Sequence, residues 1–217
     1  MLHGLVETCN QPLGIRPPVL QDGVSRDHPV RALSTWSGAL AGLMLILVGS
    51  LIPAALIWPS IPMIVLPLPS TWQVPALLLC ALVCGPRAAV IASVAYLTVG
   101  LVDLPVFHDG GGPGYLLNPG FGYLAGFVPA AWLSGRLAQQ DGMNELGRLS
   151  LAAIAGLAMI QICGLLNLLV GALVGRWGTP VLELLFSYGI GPLPAQLALC
   201  IAAGCLALPL RRLLLIQ

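Results

Sequence analysis

The sequence predicts an all-α fold, an integral membrane bundle of six transmembrane helices with both termini in the cytoplasm. Three observations predict it. Hydrophobic residues make up 58 % of the 217 residues and charged residues only 8 %, against about 25 % charged in an ordinary globular domain. A soluble surface cannot be kept wet with so few charges. The apolar residues also fall into six runs of membrane-spanning character, and the arginines fall almost wholly on one side of those runs.

A membrane helix needs roughly 20 predominantly apolar residues, and about 17 can suffice. The first 33 residues do not qualify, and they are not a signal peptide: they hold acids, Pro17, Pro18 and Pro29 and no long apolar core. They are read as a cytoplasmic tail, 1–33, ahead of a membrane domain, 34–217. The expected spans are 35–58, 72–85, 88–104, 120–137, 149–174 and 192–215. The second and third are short and nearly abut at Gly85-Pro86-Arg87.

Lysine is absent, so arginine carries the orientation signal. Positive residues concentrate in short cytoplasmic loops. With the amino terminus inside, the inner segments hold Arg16, Arg26, Arg31, Arg87, Arg136, Arg148, Arg211 and Arg212, and the outer segments hold only Arg176. All four inner segments agree. The three outer loops differ in character. The first, 59–71, is rich in proline, the second, 103–119, contains Gly110-Gly111-Gly112-Pro113-Gly114, and the third, 175–191, carries Arg176, Glu183 and Tyr188. Three such loops on one face predict a lid or binding surface.

Several function classes are excluded. The net charge of +1 offers no basic face for nucleic acid. The spans are nearly free of the ionisable relays that ion-coupled pumps use. No paired carboxylates, HExxH, GxSxG or phosphate-binding loop is present, so no enzyme activity, catalytic residue, cofactor or metal is expected. Cys80 and Cys84 share a helix face, but no His or acid is near them in sequence, and they read as small apolar fillers. Transport energy must therefore come from another protein, or transport is passive. Gly38 and Gly42 form GxxxG in the first span, which lets two membrane helices approach closely, either a partner's helix or one in the same bundle.

The stretch Pro67-Leu-Pro-Ser-Thr71-Trp-Gln73 is similar to the Pro-x-Pro-x-Thr-x-Gln segment of the BioY biotin transporters. Gly85-Pro86-Arg87, Ser93, Tyr96-Leu97 and Leu104-Pro105-Val106-Phe107 follow in that family's order, the last with Asp103 where glycine is usual. Pro119-Gly-Phe-Gly122-Tyr123-Leu-Ala-Gly126-Phe127 resembles its Pro-Thr-x-Gly-Tyr-x-x-Gly-Phe, with Gly120 replacing threonine. The resemblance covers about 67–137 well. It implies a six-helix substrate-capturing S component of an energy-coupling-factor (ECF) transporter in the cell (inner) membrane. It also implies biotin held near the external face, and a partnership with a shared membrane subunit and two ATPases. Small residues of the first helix contact that subunit in the family, a role that would suit Gly38 and Gly42.

The sixth span departs from the family, which opens it with Pro-Phe-Leu-Pro-Gly-Asp-x-x-Lys and uses the Asp and Lys on biotin's polar groups. Here Gln196 stands for Asp and Leu199 for Lys. A charged hydrogen bond is worth roughly 1.5–3 kcal/mol, or about 10–100-fold in affinity. Removing acid and base together leaves no lone buried charge. Gln196 can still donate and accept at the ureido group, and Arg176 could serve the carboxylate. A different, less charged ligand is the alternative. A solitary facilitator or membrane scaffold is the rival of another class.

Other candidate ligand contacts are read from position. Gln73, at the outer end of a short apolar helix, is a pocket hydrogen-bonder or an interfacial cap. Tyr96, in mid-span, lines a pocket or bonds between helices. Asn118 and Tyr123 flank the fourth span, where Asn118 contacts ligand or caps the helix. Gln161 and Asn167 are expected to bond between helices. Trp72, Trp132 and Trp177 fit an interfacial belt.

Overall fold

In hydrocarbon every backbone N–H and C=O must be satisfied within the protein, so helices form wherever the apolar runs are long enough. The computed structural model describes residues 27–58, 64–102, 104–107, 110–140, 142, 145–178 and 180–214, with backbone alone at 27–31, 54–58 and 64–69. Asp103, His3 and His108 lie outside the described residues, as does most of the expected tail, and His28 falls in the stretch described by backbone alone.

Helix α1 runs Asp27–Leu51, starting inside the segment read as tail and ending earlier than the expected span end at 58. Pro53 explains the stop: it lacks an N–H, and its ring disfavours helical backbone just before it. The chain continues as an antiparallel hairpin, β1 Pro53–Trp58 and β2 Ile64–Thr71, with Leu56 opposite Leu66 and Trp58 opposite Ile64. This hairpin was not expected in an all-α bundle. Prolines are admitted at 53, 67 and 69 because in a two-stranded ribbon both strands are edges, where a ladder bond can be forgone.

Helix α2 spans Gln73–Leu101 but is broken at Gly85, whose φ of 83° and ψ of 175° are not helical. The chain reverses there. Going along α1, a side chain at Gly38 would meet Cys84 and Ala88, one at Gly42 would meet Cys80 and Ala92, and one at Gly49 would meet Trp72 and Ala76. The arm 73–84 therefore runs against α1 while the arm 86–101 runs with it, and Gln73 bonds Tyr96 across the pair. The two arms correspond to the expected second and third spans. Gly85→Ala should lower the melting temperature in detergent by about 3–10 °C, because this backbone conformation is essentially glycine's alone and costs roughly 1–3 kcal/mol elsewhere. An unchanged melting curve would mean that the turn relaxes freely.

The fourth expected span forms as α3, Phe121–Ala125, and α4, Phe127–Ala138, after a short 3-10 turn at Pro113–Leu117. Helix α5 is Leu146–Leu173. A short α6, Val181–Leu184, passes through a π-turn, Leu185–Ile190, into α7, Leu193–Leu213. Among the described residues four helical stretches are long and apolar enough to cross a membrane: Ala32–Leu51, Gln73–Leu101, Leu146–Leu173 and Val181–Leu213.

Packing follows membrane logic. Small residues line the contacts between helices, with Ala81, Ala89, Ala92, Ala130, Ala131, Ala152, Ala153, Ala203 and Ala207 all buried. Large apolar side chains such as Leu40, Met44, Val48, Leu151, Leu169 and Leu173 face outward, as a lipid-facing surface requires. At one end of the bundle Gly135 lies against Pro86 at the reversal, and Arg211 Nη1 donates to Ala138 O at 2.9 Å. Arg87, Arg136, Arg148, Arg211 and Arg212 all belong to this end.

Candidate ligand-binding site

At the opposite end a cavity of about 360 Å³ opens between the β-hairpin and the starts of the helices, within the range of small-molecule sites. Ser70 and Thr71 of β2, then Gln73 and Val74 of α2, form one wall. Tyr115, Gly120, Tyr123, Leu124 and Phe127 form the second, and Ile160, Ser187, Tyr188, Pro192 and Gln196 close the third. None of these lining residues is charged.

Gln73 is buried, and its Nε2 donates to the Tyr96 hydroxyl at 2.9 Å. The hydroxyl in turn donates to Val106 O at 2.8 Å. A carbonyl can only accept, so the one hydroxyl proton of Tyr96 is spent on it and the tyrosine oxygen must accept from Gln73. This fixes the amide: its NH2 end is engaged and Oε1 is left over as an acceptor. Tyr96 is fully buried behind Gln73 and does not line the cavity; its ring lies 5.5 Å from Phe107 and 6.4 Å from Phe127. Phe107 passes the stack on to Tyr115 at 4.7 Å. A packed aromatic layer thus forms the rigid floor on which Gln73 is held.

Tyr123 is only 9 % exposed, lines the cavity, and its hydroxyl has no hydrogen-bond partner among the described residues. Its ring covers Gly164 of α5 so closely that a Cβ there would overlap it, which holds the phenol in place. Gln196 lines the far wall and accepts a bond from Gln161 Nε2 at 2.9 Å. Gln161 is therefore interhelical, as expected, whereas Asn167 of α5 donates through Nδ2 to Pro119 O at 3.1 Å, in the turn ahead of α3 and not on a helix.

Three candidates read from the sequence, Gln73, Tyr123 and Gln196, meet at one cavity. The other three do not line it. Tyr96 supports Gln73. Asn118 caps the next turn through Oδ1, which accepts from Gly120 N at 2.9 Å. Arg176 is exposed, donates to Leu116 O at 3.2 Å and stacks on Trp177, 5.5 Å from the ring centroid. Leu199, at the family's lysine position, is buried and also does not line the cavity. Gly38 and Gly42 face the arms of α2, not the outer surface of α1.

Sequence reading passed over Ser70, Tyr115, Phe127 and Ser187 as lining residues. Tyr115 was legible in principle, being the aromatic residue inside the glycine-rich loop. Ser187 sits in the π-turn, which has no sequence signature.

The BioY family model matches residues 29–215. Over 92 residues the chain is 37 % identical to the probable biotin transporter BioY of Lysinibacillus sphaericus, covering 42 % of this chain and 47 % of that protein. Over 108 residues it is 35 % identical to the biotin transporter BioY of Thermotoga maritima, covering 49 % of this chain and 62 % of that one. The chain thus spans less than two thirds of either relative. Its fold is similar to the crystal structure of the S-component for biotin from an ECF-type ABC transporter, with a TM-score of 0.65 at 18 % identity, covering 84 % of this chain and 93 % of the other. The match along nearly all of the membrane-spanning sequence places it: the chain belongs to the BioY family.

Proposed function

We propose that the protein is the substrate-capturing subunit for biotin uptake, a multi-pass protein of the cell membrane working with an ATP-driven ECF module. The observation that carries the reading is the Tyr123 hydroxyl, buried, without a partner among the described residues, and lining a cavity of ligand size. An unmade buried hydrogen bond costs roughly 1–3 kcal/mol, and a polar ligand would recover it. The Gln73 and Gln196 amides supply further polar groups, and Tyr115, Phe127 and Tyr188 supply apolar walls suited to a thiophane ring and alkyl chain.

In this reading the two arms of α2 are separate crossings, which makes six with α1, α3–α4, α5 and α7. The arginine-rich end is cytoplasmic by the charge rule, both termini are inside, and the cavity at the other end opens outward. The biotin carboxylate has no cation among the lining residues, so it points to the mouth, and Arg176 reaches it only by exchanging its bond to Leu116. Partner docking falls to α1. Gly38 and Gly42 serve it by seating α1 flush on α2, so that Leu40, Met44 and Val48, all exposed, form an outward ridge.

The test is equilibrium binding of biotin to purified protein in detergent. Saturable binding is expected, competed poorly by thiamin or riboflavin. A second reading, another vitamin without a carboxylate, is favoured by the uncharged lining together with Gln196 and Leu199. No biotin binding at high micromolar concentration, with saturable binding of a neutral vitamin, would establish it. Uptake undiminished in cells lacking the ATPases would make the protein a solitary facilitator.

A further inference from the structure

We propose that Gln161 is a positioning residue that sets ligand specificity: it locks the Gln196 amide so that the cavity offers one acceptor, Gln73 Oε1, and one donor, Gln196 Nε2, a pair that selects a cyclic urea. The inference rests on the biotin reading and goes beyond it by assigning the orientation of the polar clamp and the residue responsible.

A lone glutamine facing a cavity can turn its amide over and serve a donor or an acceptor equally, so by itself it selects nothing. Gln73 does not have this freedom. The bonds from Gln73 Nε2 to Tyr96 and from Tyr96 to Val106 O leave it only an acceptor to offer. Gln196 acquires the opposite polarity from its neighbour. Gln161 is buried in α5, only 9 % exposed, and its Nε2 donates to Gln196 Oε1 at 2.9 Å. With Oε1 engaged, Nε2 is the end of Gln196 left for the cavity it lines. The urea ring of biotin carries N–H donors beside a C=O acceptor, the complement of this pair. The Gln161–Gln196 pair therefore gives this wall of the cavity a donor.

The probe is 2-iminobiotin, in which the urea oxygen is replaced by a nitrogen that donates. It keeps the ring N–H groups and the side chain. The wild-type protein should prefer biotin, because the iminobiotin nitrogen meets the Gln196 donor. In Gln161→Leu the amide is freed to turn, and the biotin-to-iminobiotin affinity ratio should fall about tenfold. Any general penalty for a cationic ligand is common to all variants and cancels when ratios are compared. Gln196→Leu should lower the ratio similarly, and the double variant should lower it no further. Gln73→Leu should weaken both ligands alike, since both keep the N–H groups. Gln161→Met, which preserves the stem of the side chain, replaces Gln161→Leu if the latter fails to give a cooperative melt.

Equal weakening of both ligands in the Gln161 variant, with the ratio unchanged, would mean that Gln161 only supports the helix pair and would overturn the inference while leaving the biotin reading intact. Wild-type protein that binds neither probe would overturn both. A fall in the ratio for Gln196→Leu but not for Gln161→Leu or Gln161→Met would keep the donor and remove Gln161's part in orienting it.

Discussion

Gln73→Leu should weaken biotin binding by about 10–100-fold while shifting the melting temperature by no more than about 4 °C. Each half of this expectation has its own cause. Binding loses the Gln73 Oε1 acceptor, and a ligand N–H buried there without a partner carries the full cost of a missing bond, about 1–3 kcal/mol. Folding loses one neutral bond, Gln73 Nε2 to Tyr96, worth about 1 kcal/mol. The Tyr96 hydroxyl keeps its bond to Val106 O, so no buried donor is orphaned. Equilibrium binding and a thermal melt on the same preparation check both halves. Unaltered affinity would remove Gln73 from the site, and a collapse in stability would make its role structural.

Gly42→Leu should lower the melting temperature by about 5–15 °C and reduce uptake through loss of folded protein. A Cβ at Gly42 would overlap Cys80 Sγ and press on Ala92, backbone-supported neighbours in a packed interface. Inserting a large side chain there costs roughly 1–3 kcal/mol or more. Gly38 is less confined, its nearest contact being Cys84 Cβ at 3.1 Å, so Gly38→Ala should be tolerated with a smaller shift. Changing Leu40 and Met44 on the outward side of α1 should leave the melt unaltered and impair assembly with a partner. If Gly42→Leu melts like the wild type, α1 does not lie as closely on α2 as described. If Leu40 and Met44 variants assemble normally, docking lies elsewhere.

Much of the site was legible because its residues break a simple pattern. Gln73, Gln161 and Gln196 are polar side chains in apolar runs, and a buried amide in a membrane needs a partner, so each had to bond within the bundle or to a ligand. What the pattern could not say is which choice each made. Asn118 and Tyr96 are polar residues of the same standing, yet one spends its oxygen on Gly120 N and the other its proton on Val106 O. Among the described residues Arg176 is the sole arginine at the cavity end, which made it the natural carboxylate partner on charge alone. Only the fold shows it turned onto Leu116 and Trp177.

The sequence by itself determined that this is a helical membrane protein without relays or catalytic motifs, with every arginine but Arg176 on one side of the apolar runs by the charge pattern, because composition and charge placement act residue by residue and need no knowledge of neighbours. It also located the reversal at Gly85-Pro86, since glycine and proline impose their backbone limits locally. The tertiary structure alone decided that residues 53–58 and 64–71 pair as a ribbon in place of helix and loop, that Gly38 and Gly42 face inward, and that Gln161 reaches Gln196. These depend on which surfaces meet. A ribbon needs its second strand, a GxxxG face accepts any close helix, and an amide's free end is defined only by what holds the other.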